Sequence, residues 1–388
     1  MSSTQQKFSI HTRPNWAEVA LPVLERNYRA VAAHVGPKVT VCSVIKCDAY
    51  GHGVVECARA LERAGSHWLG VTSTEEGLAV RDAGVRARIL VMTGIWRNEE
   101  DAVIRHNLTP AIATPGHLRA LETAAKALGR PQHSLAVHLK LDTGMSRLGL
   151  PLEELPDFLE RLKQSPYVML EGVFSHLASS EVLDAPDAEE QMARFDQAME
   201  TIHAAGLQPR YTHLANAGAV EARPATWREM VRPGLLLYGY NLPCSGPGAE
   251  KTGLDVHPVL SWKTRIIALR DIPAGRAVGY NLTWTAKRST RVAVLPVGYG
   301  DGYNRHLSNR GRVIVRDRYA PIVGNISMDL TTVDVTEIPG AALGDEVLLI
   351  GQSANCQVGA QEHADLAGTV IYEILCGLSP RVPRIYVE

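Results

Sequence analysis

The chain has 388 residues, with 40 Lys and Arg against 41 Asp and Glu and a formal net charge of −1. At about 150 residues per domain it exceeds one small module, and about two to three domains are expected, fewer if one is a large barrel. The near-zero charge lacks the basic excess of a dedicated nucleic-acid binder; 45% hydrophobic with 21% charged residues is ordinary for a globular protein, and 33 Gly with 22 Pro excludes collagen-like or disordered compositions. The first ten residues show no basic segment followed by an apolar one, so no secretory signal is expected. No apolar run approaches the roughly 20 residues that cross a bilayer, so no membrane partner is expected either. Six cysteines (42, 47, 57, 244, 356 and 376) form no CxxC pair and no zinc-type spacing, and HExxH is absent. Free thiols in a reducing cytoplasm, and no metal, are the expectation.

In chain order, short β-branched runs at 39–45, 68–72, 89–92, 109–113, 135–141, 170–175, 211–215 and 230–238 alternate with stretches of helical period. One helix is expected at 117–128, opened by Thr114-Pro115 and stopped by Gly129. Another is expected at 186–205, stopped by Gly206. The strand runs are continuously apolar, as suits parallel strands covered on both faces. Eight βα repeats predict a (β/α)8 barrel over residues 14–245. A doubly wound sheet is the rival, but the GxGxxG turn it usually carries after its first strand is missing. The stretch 241–253 is rich in Pro, Gly and Ser and reads as a linker. Beyond it, β-type runs at 259–270, 291–297, 312–315, 331–335 and 346–350 are broken by turn residues, with one helix-like stretch at 364–376. A mostly β domain over 246–388 is expected.

A barrel of this type places its active site at the C-terminal ends of its strands. Those ends carry Lys46-Cys47-Asp48-Ala49-Tyr50, Lys140 to Arg147, Ser175-His176, His213 to Gly218 and Arg232-Pro233-Gly234. Lys46 follows Val-Cys-Ser-Val-Ile, where an ammonium is costly unless paired or neutralised. Lysines in such settings form Schiff bases with carbonyls and with pyridoxal phosphate. The bland alternative is a lysine extending to the barrel rim. The neighbouring Tyr50 and Gly-His-Gly weigh against it. Asn216-Ala217-Gly218 and Gly234-Leu235 lie after strands seven and eight, the usual phosphate cradle, where small residues let backbone N–H groups approach. Glycines also simply make turns, so spacing alone is a weak signal.

Nine segments taken together carry a family resemblance: VIKCDAYGHG, HLKLDTGMSRLGL, EGVFSHLASSE, HLANAGA, MVRPGLLLYG, VGYNLTW, PVGYGDG, GNISMDL and YEILCGLSPRVPR. In this order, from about residue 14 to 386, they resemble the bacterial alanine racemases. The resemblance implies a barrel holding pyridoxal 5'-phosphate and a β domain joined by the residues before about 14. It also implies a homodimer whose two active sites are shared head to tail, and a role in supplying D-alanine for peptidoglycan. Lys46 would be linked to the cofactor as an imine. Tyr280 would reach in from the partner subunit as the opposing base. One base on each face of Cα suits a reaction that removes a proton from one side and returns it on the other.

By the same resemblance Arg232 faces the pyridine nitrogen and His176 hydrogen-bonds Arg232. Arg147 lies beside the cofactor ring oxygen and the substrate carboxylate. Lys140 matches a lysine that is often carbamylated, a change that would reverse its charge and let it pair with Arg147. Tyr50, Asn216, Ala217, Gly234, Leu235 and Tyr372 fall at cofactor or phosphate contacts. Met328 and Asp329 match the stretch that meets the substrate carboxylate, and Tyr299 and Arg305 match residues near the entry channel. Without the resemblance, His176 reads equally well as a satisfied core histidine, and Tyr299 reads as β-domain packing.

Three positions depart from the family pattern. Ala217 replaces a serine and removes one hydroxyl donor to the phosphate, so weaker cofactor retention is expected. Asn281 replaces a frequent glycine beside Tyr280. Cys47 replaces a frequent alanine and has no functional reading. A serine or broad-range racemase of the same fold is the alternative, because one hydroxyl or methylene shifts discrimination by only ~1–3 kcal/mol. A fold-sharing decarboxylase is disfavoured because its lysine context and C-terminal Cys-Asp/Glu motif are missing. A non-catalytic cofactor carrier is disfavoured by the length beyond one barrel.

Overall fold

The computed structural model describes residues 13–251 and 253–387. They form two compact units, one spanning Leu21–Val259 and the other made of residues 13–20 with 260–387. In the first, eight strands follow one another: Thr40–Val44, Trp68–Val71, Arg88–Val91, Thr109–Ile112, Leu135–Asp142, Val168–Phe174, Tyr211–His213 and Met230–Val231. From the first to the seventh each pairs in parallel with the next. The eighth pairs in parallel with the first, with Met230 opposite Thr40. The remaining gap is bridged by Glu229 N–H to Thr212 C=O at 3.2 Å and Arg232 N–H to Ala215 C=O at 2.9 Å. This is a (β/α)8 barrel. Its second and fourth strands are buried at every position, the consequence of helices outside and packed side chains within.

All eight predicted runs are strands, but the last is shorter than expected. It stops at Val231 because Pro233 has no N–H to continue a ladder, and Leu235–Tyr238 forms a 3₁₀ turn instead. The two helices read from the sequence run Pro115–Ala127 and Pro186–Ala204. The Thr114 side chain caps the former by accepting the His117 N–H at 3.2 Å.

The second unit is mostly β. Asn15–Ala20 lies antiparallel to Leu260–Arg265 and parallel to Arg384–Val387. The limits expected at 14 and 245 therefore move. Asn15–Ala20 alternates buried and half-buried positions, the pattern of a strand on a one-sided sheet, and Asn15 Oδ1 accepts from the Trp262 indole at 2.7 Å. At the other limit, His257 stays with the barrel unit: its N–H donates to Asn27 Oδ1 at 3.0 Å and its carbonyl accepts from Asn27 Nδ2 at 2.8 Å. The expectation for residues 1–12 lies outside the described residues. The run expected at 259–270 is two strands, Leu260–Arg265 and Ala268–Ile272. The helix expected at 364–376 is also two, Ala360–Ala367 and Ile371–Cys376. Gly368 at φ 72° ends the first with the left-handed residue that closes many helices.

One local conformation was invisible in the sequence. Cys47, Asp48, Ala49 and Tyr50 all adopt left-handed φ values of 54°, 52°, 53° and 54°, and Gly51 follows at 79°. A left-handed turn costs L-residues roughly 1–2 kcal/mol each, so tertiary contacts must impose it. Glu76 does so from one side: Oε1 accepts the Cys47 N–H at 2.5 Å, while Oε2 accepts the Thr72 N–H at 2.8 Å. Asp48 Oδ1 takes the Val54 N–H at 2.8 Å. Tyr50 closes the turn with its ring 4.8 Å from that of Tyr238. The strain sits immediately after Lys46, where it sets the direction of the chain leaving the first strand. Cys47 is exposed, so replacing it removes strain without opening a cavity. Cys47→Gly is expected to raise the unfolding free energy by about 1 kcal/mol, read by chemical denaturation; an equal or lower stability would refute the strain.

Candidate active site

The C-terminal ends of the barrel strands gather cationic groups. Arg232, from the end of the eighth strand, is 4% exposed. Its Nη1 donates to His213 Nδ1 at 2.8 Å and to the His213 carbonyl at 3.0 Å. Its Nη2 donates to the carbonyls of Ser175 at 2.8 Å and Leu214 at 3.1 Å, with His176 Nδ1 at 3.4 Å. Burial lowers its pKa to about 10, still well above neutrality, so the guanidinium stays charged. His176 was expected to hold Arg232, but it is the more distant of two imidazoles. His213 is the nearer one, and the sequence reading gave it no role. The only sequence signal for it is a histidine at the end of an apolar strand.

The same positive field acts on the neighbours. Burial, then the charges of Arg232, Arg147, Lys140 and Lys46, holds His176 down at about 3, so it is neutral at pH 7. Burial, then Arg232, Arg147 and Lys46, pulls Lys140 down to about 8, with Asp142 opposing. The Lys140 ammonium lies 3.5 Å from the Met92 carbonyl and 5.4 Å from the centre of the Phe174 ring. Among the described residues neither Lys46 nor Arg147 makes a side-chain hydrogen bond or ion pair. Four cationic side chains, Lys46, Lys140, Arg147 and Arg232, with one facing carboxylate form a site for an anion.

Glycine shapes the rest of this end. A Cβ at Gly234 would lie 2.2 Å from the Tyr50 hydroxyl, so only glycine lets that phenol reach the eighth strand's end. Asn216 begins the short helix Ala217–Ala222, and its Oδ1 accepts the Ala219 N–H at 3.1 Å. The cap leaves the first-turn N–H groups of Ala217 and Gly218 without helical carbonyl partners. Leu235 begins the turn after Gly234 in the same way.

Pyridoxal 5'-phosphate fits this donor set. The phosphate has backbone N–H groups at two tight turns, the ring has a buried guanidinium, and the aldehyde carbon has a primary amine on Lys46. Among the described residues no group of three or more His, Cys, Asp or Glu gathers as a metal site.

The β unit brings its own expected residues together. Tyr280, Tyr299, Arg305, Met328 and Asp329 line one open cleft of about 590 Å3. Tyr280 is 71% exposed and Met328 52%. The cleft floor is built by backbone contact. The N–H groups of Tyr299 and Gly300 donate to the carbonyls of Ser327 at 3.1 Å and Met328 at 2.9 Å. A Cβ at Gly298 would lie 2.2 Å from the Ser327 carbonyl oxygen. Asp301, fully buried, accepts both ends of the Arg13 guanidinium at 2.7 and 2.9 Å and the Gly298 N–H at 2.9 Å. Arg13 also reaches the Asp329 carbonyl at 2.8 Å, and Arg381 bonds the Asp329 carboxylate at 2.6 Å. Asp329 is thus an anchor of the cleft wall. Asn281 carries a φ of 60° beside Tyr280, a value asparagine tolerates better than most residues. Tyr372 lies on the helix Ile371–Cys376 of this unit.

Residues 19–242 match the family model described as alanine racemase, N-terminal domain, and residues 259–386 match alanine racemase, C-terminal domain. A relative called alanine racemase, from Sorangium cellulosum, is 40% identical over 385 residues, covering 97% of this chain and all of its own. The alanine racemase structure from Streptomyces lavendulae superposes with a TM-score of 0.89 at 30% identity, over 97% of each chain. One from Bartonella henselae, described with covalently bound pyridoxal phosphate, gives 0.84 at 28% identity over 96% of this chain and 99% of that one. On both sequence and structure, the chain belongs to the alanine racemase family.

Proposed function

We propose that the chain interconverts L- and D-alanine using pyridoxal 5'-phosphate, as a homodimer in which each active site takes residues from both subunits. The observation that carries this is the gathering of Lys46, Lys140, Arg147, His176 and Arg232 at one end of the barrel, with a free primary amine among them. The cofactor, when bound, supplies an electron sink for charge developing at the substrate Cα.

The chain's own residues supply everything else. Lys46 anchors the cofactor and, once its amine is released, takes or returns a proton on one face of Cα. Tyr280 does the same on the other face through its hydroxyl. Arg147 pairs with the substrate carboxylate, assisted by the backbone at Met328. Arg232 presents a permanently protonated group to the ring nitrogen, so it donates a hydrogen bond without delivering a proton. His176, neutral, steadies it from one side. Backbone N–H groups at Ala217, Gly234 and Leu235 receive the phosphate, with Tyr50 and Tyr372 as further donors.

The exposure of Tyr280, Leu282 and Met328 supports the shared site, since a cluster of large apolar side chains in water marks a surface that is covered by something. Among the described residues no helix is long and apolar enough to cross a membrane, and Cys42, Cys47, Cys57 and Cys356 are free thiols. Both features support a cytoplasmic enzyme acting on a free amino acid. Supply of D-alanine to peptidoglycan is the role the reaction suits.

Purified protein incubated with the cofactor is expected to show the visible absorption band of a lysine-linked pyridoxal, and Lys46→Ala is expected to lose it. A variant that keeps the band removes Lys46 from the site. Mixing Lys46→Ala with Tyr280→Phe subunits under exchanging conditions is expected to restore up to about a quarter of full activity. Half the dimers mix, and each mixed dimer holds one intact site of two. No recovery, with exchange verified, refutes the sharing. Ala217→Ser is expected to retain cofactor longer through dialysis than the unmodified chain, and equal retention would show that the backbone donors suffice.

A further inference from the structure

Arg232 is the visible end of a longer buried chain that the racemisation chemistry does not use. His213 accepts from Arg232 through Nδ1 and meets His138 through Nε2, with His138 Nδ1 at 2.9 Å. His138 Nε2 lies 3.7 Å from Glu171 Oε2. Glu171 receives Arg88 through both guanidinium ends, Nη2 to Oε2 at 2.6 Å and Nη1 to Oε1. Arg88 lies 4.1 Å over the Trp68 ring. Both histidines are fully buried and Glu171 is nearly so.

Elementary valence gives this chain one direction. An arginine only donates, so His213 Nδ1 must accept. A neutral imidazole has a single N–H, which is then on Nε2 and points at His138 Nδ1. That places the His138 proton on Nε2, facing the Glu171 carboxylate. Burial first, and Arg232 second, keeps His213 neutral, and burial keeps His138 neutral as well. Burial alone would raise Glu171, but His138 3.7 Å away, the two bonds from Arg88 and the Arg88 charge bring it down to about 2. Every proton in the chain therefore points from a guanidinium toward a carboxylate, and bonds aligned in this way polarise one another. A proton hop along it would end in a neutral arginine and a protonated Glu171, the reverse of both groups' preferences, so the chain orients and does not conduct.

The surroundings are shaped to hold the rings. A Cβ at Gly172, opposite His138 in the ladder, would lie 2.6 Å from the His138 ring. Phe174 stacks on His213 with centroids 4.7 Å apart and planes 5° from parallel. With Nη1 and Nη2 engaged, Arg232 Nε makes no hydrogen bond among the described residues and is the donor left for a ligand.

We propose that His138 and Glu171, acting through His213, are positioning residues that fix the Arg232 guanidinium and thereby set the environment of the cofactor ring. This rests on the reading that Arg232 faces that ring. The first test needs no cofactor. Side-chain nitrogen–proton spectra of histidine-labelled protein, assigned with His138→Gln and His213→Gln, should show both residues neutral and protonated at Nε2. A proton at Nδ1, or a doubly protonated ring at neutral pH, overturns the chain.

The second test loads the protein with pyridoxal 5'-phosphate. Glu171→Gln keeps the shape and removes the charge. It is expected to move both histidine proton signals, to shift the absorption maximum of the bound cofactor, and to lower kcat by about 10- to 100-fold with KM little changed. Glu171→Asp should recover part of the loss. A folded Glu171→Gln with unchanged spectrum and rate overturns the positioning role, and His138→Gln gives the same decision if Glu171→Gln fails to fold. If the unmodified protein forms no lysine-linked band, the active-site reading fails, and the histidine protonation still decides the chain separately.

Discussion

A guanidinium buried at the open end of a parallel barrel must be hydrogen-bonded on nearly every N–H, because an unpaired buried charge costs far more than folding can offset. Arg232 satisfies this with carbonyls from the ends of two strands and two imidazoles. Much of the site follows from that constraint. The carbonyls of Ser175, His213 and Leu214 must turn inward, so the sixth and seventh strands must end where they do. The imidazoles must be neutral acceptors, so their environment must be dry and already positive. The field of the same arginine then helps to pull Lys140 down to about 8. One buried cation thus sets strand ends, tautomers and the protonation of its neighbours.

A second constraint is close approach, and glycine meets it in both units by the same device. At Gly234 the missing side chain admits the Tyr50 hydroxyl, and at Gly298 it admits a carbonyl from the Ser327–Met328 stretch. Neither glycine has a positive φ, so conformational freedom is not what makes them necessary. Space is. Gly51, Gly239 and Gly302 differ in that their φ values of 79°, 92° and 97° lie where L side chains are strained. The two kinds look identical in sequence, and the backbone angle separates them, since Gly239 and Gly302 are closely approached as well.

That difference indicates what the sequence could and could not disclose. Strand runs were legible because burial on both faces writes itself as unbroken apolar residues. Lys46, Arg147, His176 and Arg232 were legible as polar groups at strand ends, where a barrel has its chemistry. Their joining into one electrostatic cluster was an inference from topology. His213, His138, Glu171 and Glu76 were not legible, because each acts through a partner 19 to 83 positions away and no local pattern marks such a pair. Asn15–Ala20 was assigned to the wrong unit for the same reason: the strands it joins, Leu260–Arg265 and Arg384–Val387, lie far away in sequence. The left-handed turn at 47–50 is the extreme case, since nothing in Cys-Asp-Ala-Tyr favours it and Glu76 imposes it from outside.

The two units solve opposite problems. The barrel end concentrates positive charge in a chain whose total charge is −1, so the attraction for a phosphate and a carboxylate is local and falls off within a Debye length of roughly 8–10 Å. Such a field holds a small dianion without drawing in extended polyanions. The β unit carries little charge at its cleft beyond Arg305. Asp301 and Asp329 are consumed by Arg13 and Arg381, and what remains outward is phenol, thioether and the guanidinium of Arg305. A phenol offered as a base works best where water is excluded, and its own cleft leaves Tyr280 71% exposed.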